Sequence, residues 1–556
     1  MPPVMSIGPL AGPEEAGDRL VYKGYSWRAA IIGLSALAGG CAVGPDFHKP
    51  ASWTPPHWAG PGSSPPTGPA TGPVTSDISD AAPDPAWWDV FHDAELSALE
   101  RRVASQNLSV GIATARLAQS RSQLRIAGAE RYPGLSAAGS YSRAQYSTKM
   151  LQRIVSDVGK SPQVQQAIRQ SGQLGNATLA DESGHLTIPL FDQWKDSIDA
   201  TWEVDLWGRV RRQYEAAGAD LQASNEERRG VLTAQMAELA RDYMALREAQ
   251  TLLHILLDNR DTAARTLELS RQRNQAGLVS ELDVQSAQSQ LDATTARIPQ
   301  TEQQIAVQVN ALSLLLGEPP AALAGELLKA EAIPPVPPRV PAGVPSELAR
   351  RRPDIRQAEA QLHAATAQVG EAVAEFYPRV TIDAGFGFQS LSFRDLGFWN
   401  ARAWNVGPSI TLPIFQGGRL RGQLELRKSA QQEAAISYRQ TVLGAWHEVD
   451  NALTAYRDEQ MRRDSLAREV AADQRGLDLA RDQYRHGMVT FLTVLDAERR
   501  LLAAQTDLTG STATLSTDLV QLYSALGGGW ETTFPDSIPA GSAPHTVAQA
   551  SSHGPA

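Results

Sequence analysis

The chain repeats itself at a fixed offset, and this constrains its fold more than any single motif. Leu232, Met236, Leu239, Tyr243 and Leu246 recur 210 positions later as Val442, Trp446, Val449, Leu453 and Tyr456. Every member is apolar, and the steps of four, three, four and three residues form a coiled-coil seam. Arg271, Gly277, Val279, Leu282, Val284, Ala287 and Leu291 recur as Arg481, Gly487, Val489, Leu492, Val494, Ala497 and Leu501; Leu312, Leu316 and Gly317 recur as Leu522, Leu526 and Gly527. Upstream the offset widens to 245, placing Tyr132-Pro133 on Tyr377-Pro378, so the first half carries 35 extra residues in the Thr148 to Leu190 region. Each half reads helix, strand, loop, strand, long helix, tight turn, helix. An extended Pro-rich linker, Ile333-Pro-Pro-Val-Pro-Pro-Arg-Val-Pro341, joins them.

Proline and glycine are scarce from Val210 to Ala276 and from Gln423 to His486. At about 1.5 Å per residue each stretch makes a helix on the order of 100 Å long, which needs a partner along its whole flank. Glycines at the turns, Gly277 and Gly487, read first as helix stops that supply a left-handed residue.

Past position 41 no apolar run is long enough for a membrane helix, so a membrane crossing by the mature chain must use strands. Period-two alternation occurs four times: Leu135 to Tyr141, Ile198 to Leu206, Ile382 to Phe388, and Trp404 to Ile414. Trp194, Trp202, Trp207, Trp399 and Trp404 lie in or beside these segments, as rings at a membrane interface do. The edge of a soluble β-sandwich alternates in the same way. Four strands cannot close a barrel, and hydrocarbon does not tolerate an open edge, so a membrane barrel built from them must be shared between chains.

Arg28 precedes twelve uncharged, mostly small or apolar residues, Ala29 to Gly40, and then Cys41, the single cysteine of the chain. This reads as a signal peptide over residues 1–40 followed by a lipid-acceptor cysteine, Ala38, Gly39 and Gly40 being the small residues ahead of the cut. The plainer alternative is an incidental cysteine after an ordinary secretion signal. Lys plus Arg total 51 against 61 Asp plus Glu, a net charge of −10, which argues against nucleic acid as a partner. No metal-ligand spacing, phosphate loop or nucleophile elbow occurs, and the pair Glu226-Glu227 reads as a solvated helix face rather than a catalytic dyad. We therefore expect no enzyme activity and no cofactor beyond covalent lipid on Cys41.

The sequence resembles the TolC-like outer-membrane factors, within them the lipid-anchored OprM/NodT branch. The resemblance runs from Cys41 to Trp530. It is carried by Cys41-Ala-Val-Gly-Pro-Asp-Phe-His-Lys-Pro50, Trp87-Trp88 with Phe91, Asp93 and Leu96, Asp205-Leu-Trp-Gly-Arg209, Arg351-Arg-Pro-Asp-Ile-Arg356 with Ala358-Glu359, and Ala525-Leu-Gly-Gly-Gly-Trp530. It implies a mainly α fold with a small β part: a homotrimer with a shared twelve-strand outer-membrane β-barrel above a periplasmic α-helical barrel. The implied function is the passive exit duct of a tripartite efflux pump, with a periplasmic adaptor, an inner-membrane transporter and outer-membrane lipid as partners. The alternative is a structural or adhesive coiled-coil surface lipoprotein. By the same resemblance the turns Gly277-Leu278-Val279 and Gly487-Met488-Val489 dock the adaptor, and Asp283, Tyr484, Thr493 and Asp496 line the periplasmic gate, Tyr484 meeting Asp283 across neighbouring helices. The second gate position departs from the family's pattern, since Thr493 stands where an aspartate is common. The expected organisation is an N-terminal and equatorial segment over 41–95, a first repeat over 96–332, the linker over 333–345, a second repeat over 346–530 and a disordered tail over 531–556.

Overall fold

A computed structural model describes residues 42–50, 58, 77–79, 81–144 and 191–536. Cys41, the signal segment, the 145–190 region and the tail beyond 536 lie outside the described residues.

Four long helices are the largest elements among the described residues. Helix α3 (Arg209–Gln275) and α8 (Arg419–Arg485) are 67 residues each; α4 (Glu281–Leu315) and α9 (Phe491–Ala525) are 35 each. The bounds of each pair differ by 210 at both ends. Ahead of them, α2 (Leu108–Ala129) and α7 (Pro353–Ala374) are both 22 residues and differ by 245. Helix α3 folds back on α4, and α8 on α9; α7 packs against both α3 and α8, and α9 lies along α3. The short α1 (Ala94–Gln106), α5 (Ala324–Leu327) and α6 (Pro345–Arg351) complete the helical part.

The seam residues are the core. Leu232, Met236, Leu239, Tyr243 and Leu246 are fully buried, with Val442, Val449, Leu453 and Tyr456 beside them; Trp87, Trp88 and Phe91 of a preceding 3-10 turn plug the same cluster near mid-length. The Arg-Pro-Asp motif opens α7: Pro353 sits at its first position, where its missing N–H costs nothing. Arg352, itself buried, donates 2.7 Å to the carbonyl oxygen of Ala525, satisfying one of the orphan acceptors at the end of α9, while Asp354 and Glu448 balance its charge.

Three sequence expectations change here. The tail does not come free at 531: Trp530 lies beneath the guanidinium groups of Arg229 and Arg356, Phe534 beneath that of Arg228, and Asp536 pairs with Arg229 at 2.8 Å and Arg356 at 2.7 Å. Residues 531–536 are thus held against α3 and α7. Glu226 is not on a wet face. It is buried and paired with Arg229 at 2.9 Å and Arg356 at 3.1 Å, whereas Glu227 reaches the exposed Arg116. The Pro-rich linker is more than a spacer, since it carries β4 (Arg339–Pro341), paired in parallel with β1 (Asp77–Ser79), and buries Val340.

The second sheet is antiparallel, in the order β2 (Gly134–Ala144), β3 (Phe191–Glu203), β5 (Arg379–Ser390), β6 (Arg402–Thr411). The central pair joins the two halves of the chain, Ile198 opposite Phe386 and Trp202 opposite Ile382. Alternation in the sequence continues past the strands, but β3 stops at Glu203 and β6 at Thr411, where the backbone turns towards the left-handed glycines Gly208 and Gly418 that start α3 and α8.

Candidate functional site

Three places on this frame bear on function: the sheet, the segment next to Cys41, and the helix-hairpin tips.

The register sorts the sheet into two faces. Leu135, Ile198, Trp202, Ile382, Phe386, Trp404, Val406 and Ile410 fall on one; Ser136, Ser197, Asp199, Thr201, Thr381, Asp383, Asn405 and Ser409 fall on the other. Every one of those apolar side chains is exposed, Leu135 at 75% and Trp404 at 69%. A soluble protein would cover such a face, whereas a membrane strand presents it to hydrocarbon. The polar face satisfies itself: Thr201 of β3 donates to Asp383 of β5 at 3.0 Å, and within β3 Ser197 donates to Asp199 at 2.7 Å. Rings sit towards both ends. Trp194 contacts both Tyr141 and Phe393 away from the helices, and Trp207 and Tyr377 stack at the helical end. Strands β2 and β6 have no second neighbour among the described residues.

The segment after Cys41 is fixed at the helical end of this sheet. Val43 donates its N–H to the carbonyl of Trp207 at 3.0 Å, and Ala42 lies against Gly208, where a Cβ would come within 2.8 Å of the Ala42 Cβ. Gly44 has φ +92° and meets Gly370 so closely that a Cβ on it would lie 2.5 Å from the Gly370 Cα. The motif glycines at 44 and 208 are therefore close approaches as well as left-handed positions. From there the strap descends: Asp46 pairs with Arg212 at 2.6 Å, Phe47 stacks on His363 at 4.5 Å, and Lys49 pairs with Glu359 at 2.6 Å. Hydrogen bonding and charge from Arg212 hold the Asp46 carboxyl below its ordinary pKa.

Both hairpin tips close with the same geometry. Gly277 and Gly487 each have φ +73°; Leu278 N–H donates to the Arg273 carbonyl at 2.9 Å, and Met488 N–H to the Gln483 carbonyl at 2.9 Å, a Schellman closure in each. Leu278 and Leu282 on one tip, and Met488 and Leu492 on the other, are exposed apolar side chains, while Val279 and Val489 turn inwards onto a tip core. That core joins both hairpins through Leu267, Val284, Leu477, Tyr484, Phe491 and Leu495.

The expected gate residues are spread over separate local contacts within the chain. Asp283 accepts from the Ser280 backbone N–H at 3.3 Å, completing a capping box at the start of α4. Tyr484 is buried against Phe491, with the Arg273 guanidinium 4.7 Å from its ring centroid, and its hydroxyl has no hydrogen-bond partner among the described residues. Thr493 makes a 3.3 Å hydroxyl contact with Thr490, and Asp496 pairs on the surface with Arg500 at 3.1 Å. Among the described residues no group of His, Cys, Asp and Glu is arranged to hold a metal.

Residues 99–318 and 344–528 match the model of the family described as outer membrane efflux protein. The chain belongs to that family. It is 32% identical over 508 residues to the probable efflux pump outer membrane protein TtgC of Pseudomonas putida, covering 90% of this chain and 96% of the relative. It is 30% identical to nodulation protein T of Rhizobium leguminosarum, covering 91% and 94%. Among solved structures, that of the outer-membrane channel OprN superposes with a TM-score of 0.75 at 31% identity, covering 88% of this chain and all of the other. The fold alone extends to the CmeC outer membrane channel of Campylobacter jejuni, with a TM-score of 0.74 at 20% identity. This outer-membrane efflux protein therefore carries an exposed apolar face on its four-stranded sheet.

Proposed function

We propose that the protein is the exit duct of a tripartite efflux pump: a homotrimer whose twelve strands close one barrel and whose helices continue it as a tube, with an aperture at the hairpin tips that a periplasmic adaptor opens. The observation that carries this is the two-faced, four-stranded sheet with unpaired edges β2 and β6. Three copies joined edge to edge give a closed barrel of the size needed for a lumen, apolar outwards and polar inwards. The matched bounds of the long helices read as an internal duplication and support the same closure. Helix α7 is packed by α3 and α8 of its own chain, while its counterpart α2 packs on α3 and leaves Leu108, Ile112 and Ile126 exposed, an apolar stripe that α8 of the next copy fits.

In this reading the barrel supplies passage, the tips supply docking and gating, and the inner-membrane transporter supplies energy, so the chain catalyses nothing. Leu278 and Met488, exposed on rigid glycine turns, are the apolar contacts for the adaptor. Ala42, seated at the barrel's helical end, places a lipid on Cys41 at the level of the inner leaflet. The family match favours this duct over a surface coiled-coil lipoprotein. The test is conductance: purified protein in detergent runs as a heat-modifiable trimer and forms pores in planar bilayers. A monodisperse monomer that retains its strand signal, or a trimer without conductance, overturns the reading.

A further inference from the structure

Both 35-residue helices, α4 and α9, contain a weak point at matching places. Pro299 lies inside α4, which continues across it for another sixteen residues. Proline has no N–H to give the Thr295 carbonyl, and its ring crowds that turn, so the hydrogen-bond ladder of α4 is interrupted there. The position 210 further on is Thr509, whose hydroxyl bonds back to the Gln505 carbonyl at 2.8 Å, and the next residue is Gly510. Back-bonding threonine and interior glycine both weaken a helix.

The apolar packing thins at the same level, where the buried neighbours of the two sites include the polar Thr294, Thr301, Thr509 and Ser511. The equatorial core and the tip core are separate clusters, and between them lies one of three buried residues, Leu256, Ile298 and Leu502, directly beside Pro299. No residue of α8 between Gln460 and Leu477 is buried in its own chain, and Gly476 ends that stretch. The tip core, in contrast, ties α3, α4, α8 and α9 together, with Arg273 stacked on Tyr484 across the two hairpins. A stiff cap joined to a stiff base by a thin waist bends at the waist.

We infer that α4 and α9 are hinged at Pro299 and Gly510, so that the tip module of each chain swings as one body about this level when the aperture changes width. The inference rests on the duct reading for its purpose, while the hinge itself is measurable without any pore. Ala at either position fits: Pro299 is exposed, and a Cβ on Gly510 comes no nearer than 3.5 Å to Glu248 Oε1. The experiment is hydrogen exchange, read by peptide mass spectrometry on the full-length protein in detergent. Wild-type amides at 295–302 and 506–513 are expected to exchange faster than those on either side in the same helices. In the Pro299→Ala/Gly510→Ala double variant they slow by about fivefold or more, the size expected when helix-weakening residues are replaced by alanine. Exchange that is fastest at the tips and falls steadily towards the equator, unchanged by the substitutions, overturns the hinge. So does an unchanged opening frequency of the double variant in bilayers, whereas absence of any wild-type pore counts against the duct alone.

Discussion

Trp207 stacks on Tyr377 with ring centroids 4.8 Å apart and planes inclined by 27°, and its indole N–H donates to the Pro378 carbonyl at 2.9 Å. One contact thus welds the β3–α3 corner of the first half to the α7–β5 corner of the second. Shifting both corners by the repeat offsets sets Tyr132 against the Phe415 to Gly418 turn. Within one chain these groups are exposed, Tyr132 at 71% and Phe415 at 89%.

The counterpart contact is therefore expected between neighbouring copies. Cysteines at Tyr132 and Gln416 should form an oxidative cross-link that yields dimer and trimer bands, while either substitution alone gives none. The geometry required is a Cα separation of about 4.4–6.8 Å. Monomer only, under oxidant, contradicts the shared barrel.

Lipid attachment is expected at Cys41 after removal of residues 1–40, and intact-mass analysis of membrane-extracted protein checks it. In a Cys41→Ala form the strap from Ala42 to Lys49 still seats on α3 and α7 by backbone and ion-pair contacts that do not involve the thiol. That form should reach the outer membrane in reduced amount. An unprocessed wild-type mass refutes the assignment.

At the tips, Tyr484→Phe removes a hydroxyl that has no partner among the described residues, so the described fold loses no hydrogen bond. Asp283→Ala removes a capping box, worth about 1 kcal/mol to the start of α4. Trimer melting should therefore fall slightly for Asp283→Ala and stay put for Tyr484→Phe. Resting conductance in planar bilayers should rise for the double variant if these groups lace neighbouring copies; an unchanged conductance would leave them as cap and core residues only.

Acidity should stabilise the helical part of the chain. Burial is the leading cause that pushes the carboxyls of Asp242 and Asp518 up to about 6, with Glu238 and Glu459 adding to it. A raised folded pKa favours the protonated form, so the associated stability is complete below the unfolded value of about 3.9 and is lost as pH rises through about 6. Both groups are partly wet, so the effect is on the order of 1 kcal/mol each after screening. Relative to wild type, Asp242→Asn/Asp518→Asn should melt higher at pH 7.5 and show less difference between pH 5 and pH 7.5. A steeper pH dependence in the variant would reverse this assignment.

What the sequence made legible was periodic or punctuated. The seam through Leu232 and Tyr243 repeats in steps of three and four, and the strand through Ile382 and Phe386 alternates, so both can be read within a single window. The closure at Gly277 is equally local. The parallel pairing of Asp77–Ser79 with Arg339–Pro341 and the arginine cage around Trp530 join residues hundreds of positions apart, and no window contains them. Glu226 was misread for the same reason: its neighbour in sequence suggests solvent, while its partner Arg356 comes from another helix. For the gate, the residues could be chosen from the family's pattern, but Asp283 and Tyr484 each spend their contacts locally in one chain.

The two open edges of the sheet also set how the protein tolerates damage. In the proposed ring of three, closure requires a sound β2 and a sound β6 from every member, so one faulty chain would spoil a whole ring rather than a third of it. Co-expressed in equal amounts with an edge-defective copy that still assembles, intact rings fall to roughly one in eight of the total. Edge mutations should therefore behave as dominant poisons in a mixed population, whereas mutations confined to the lumen face of one chain should be diluted by their neighbours.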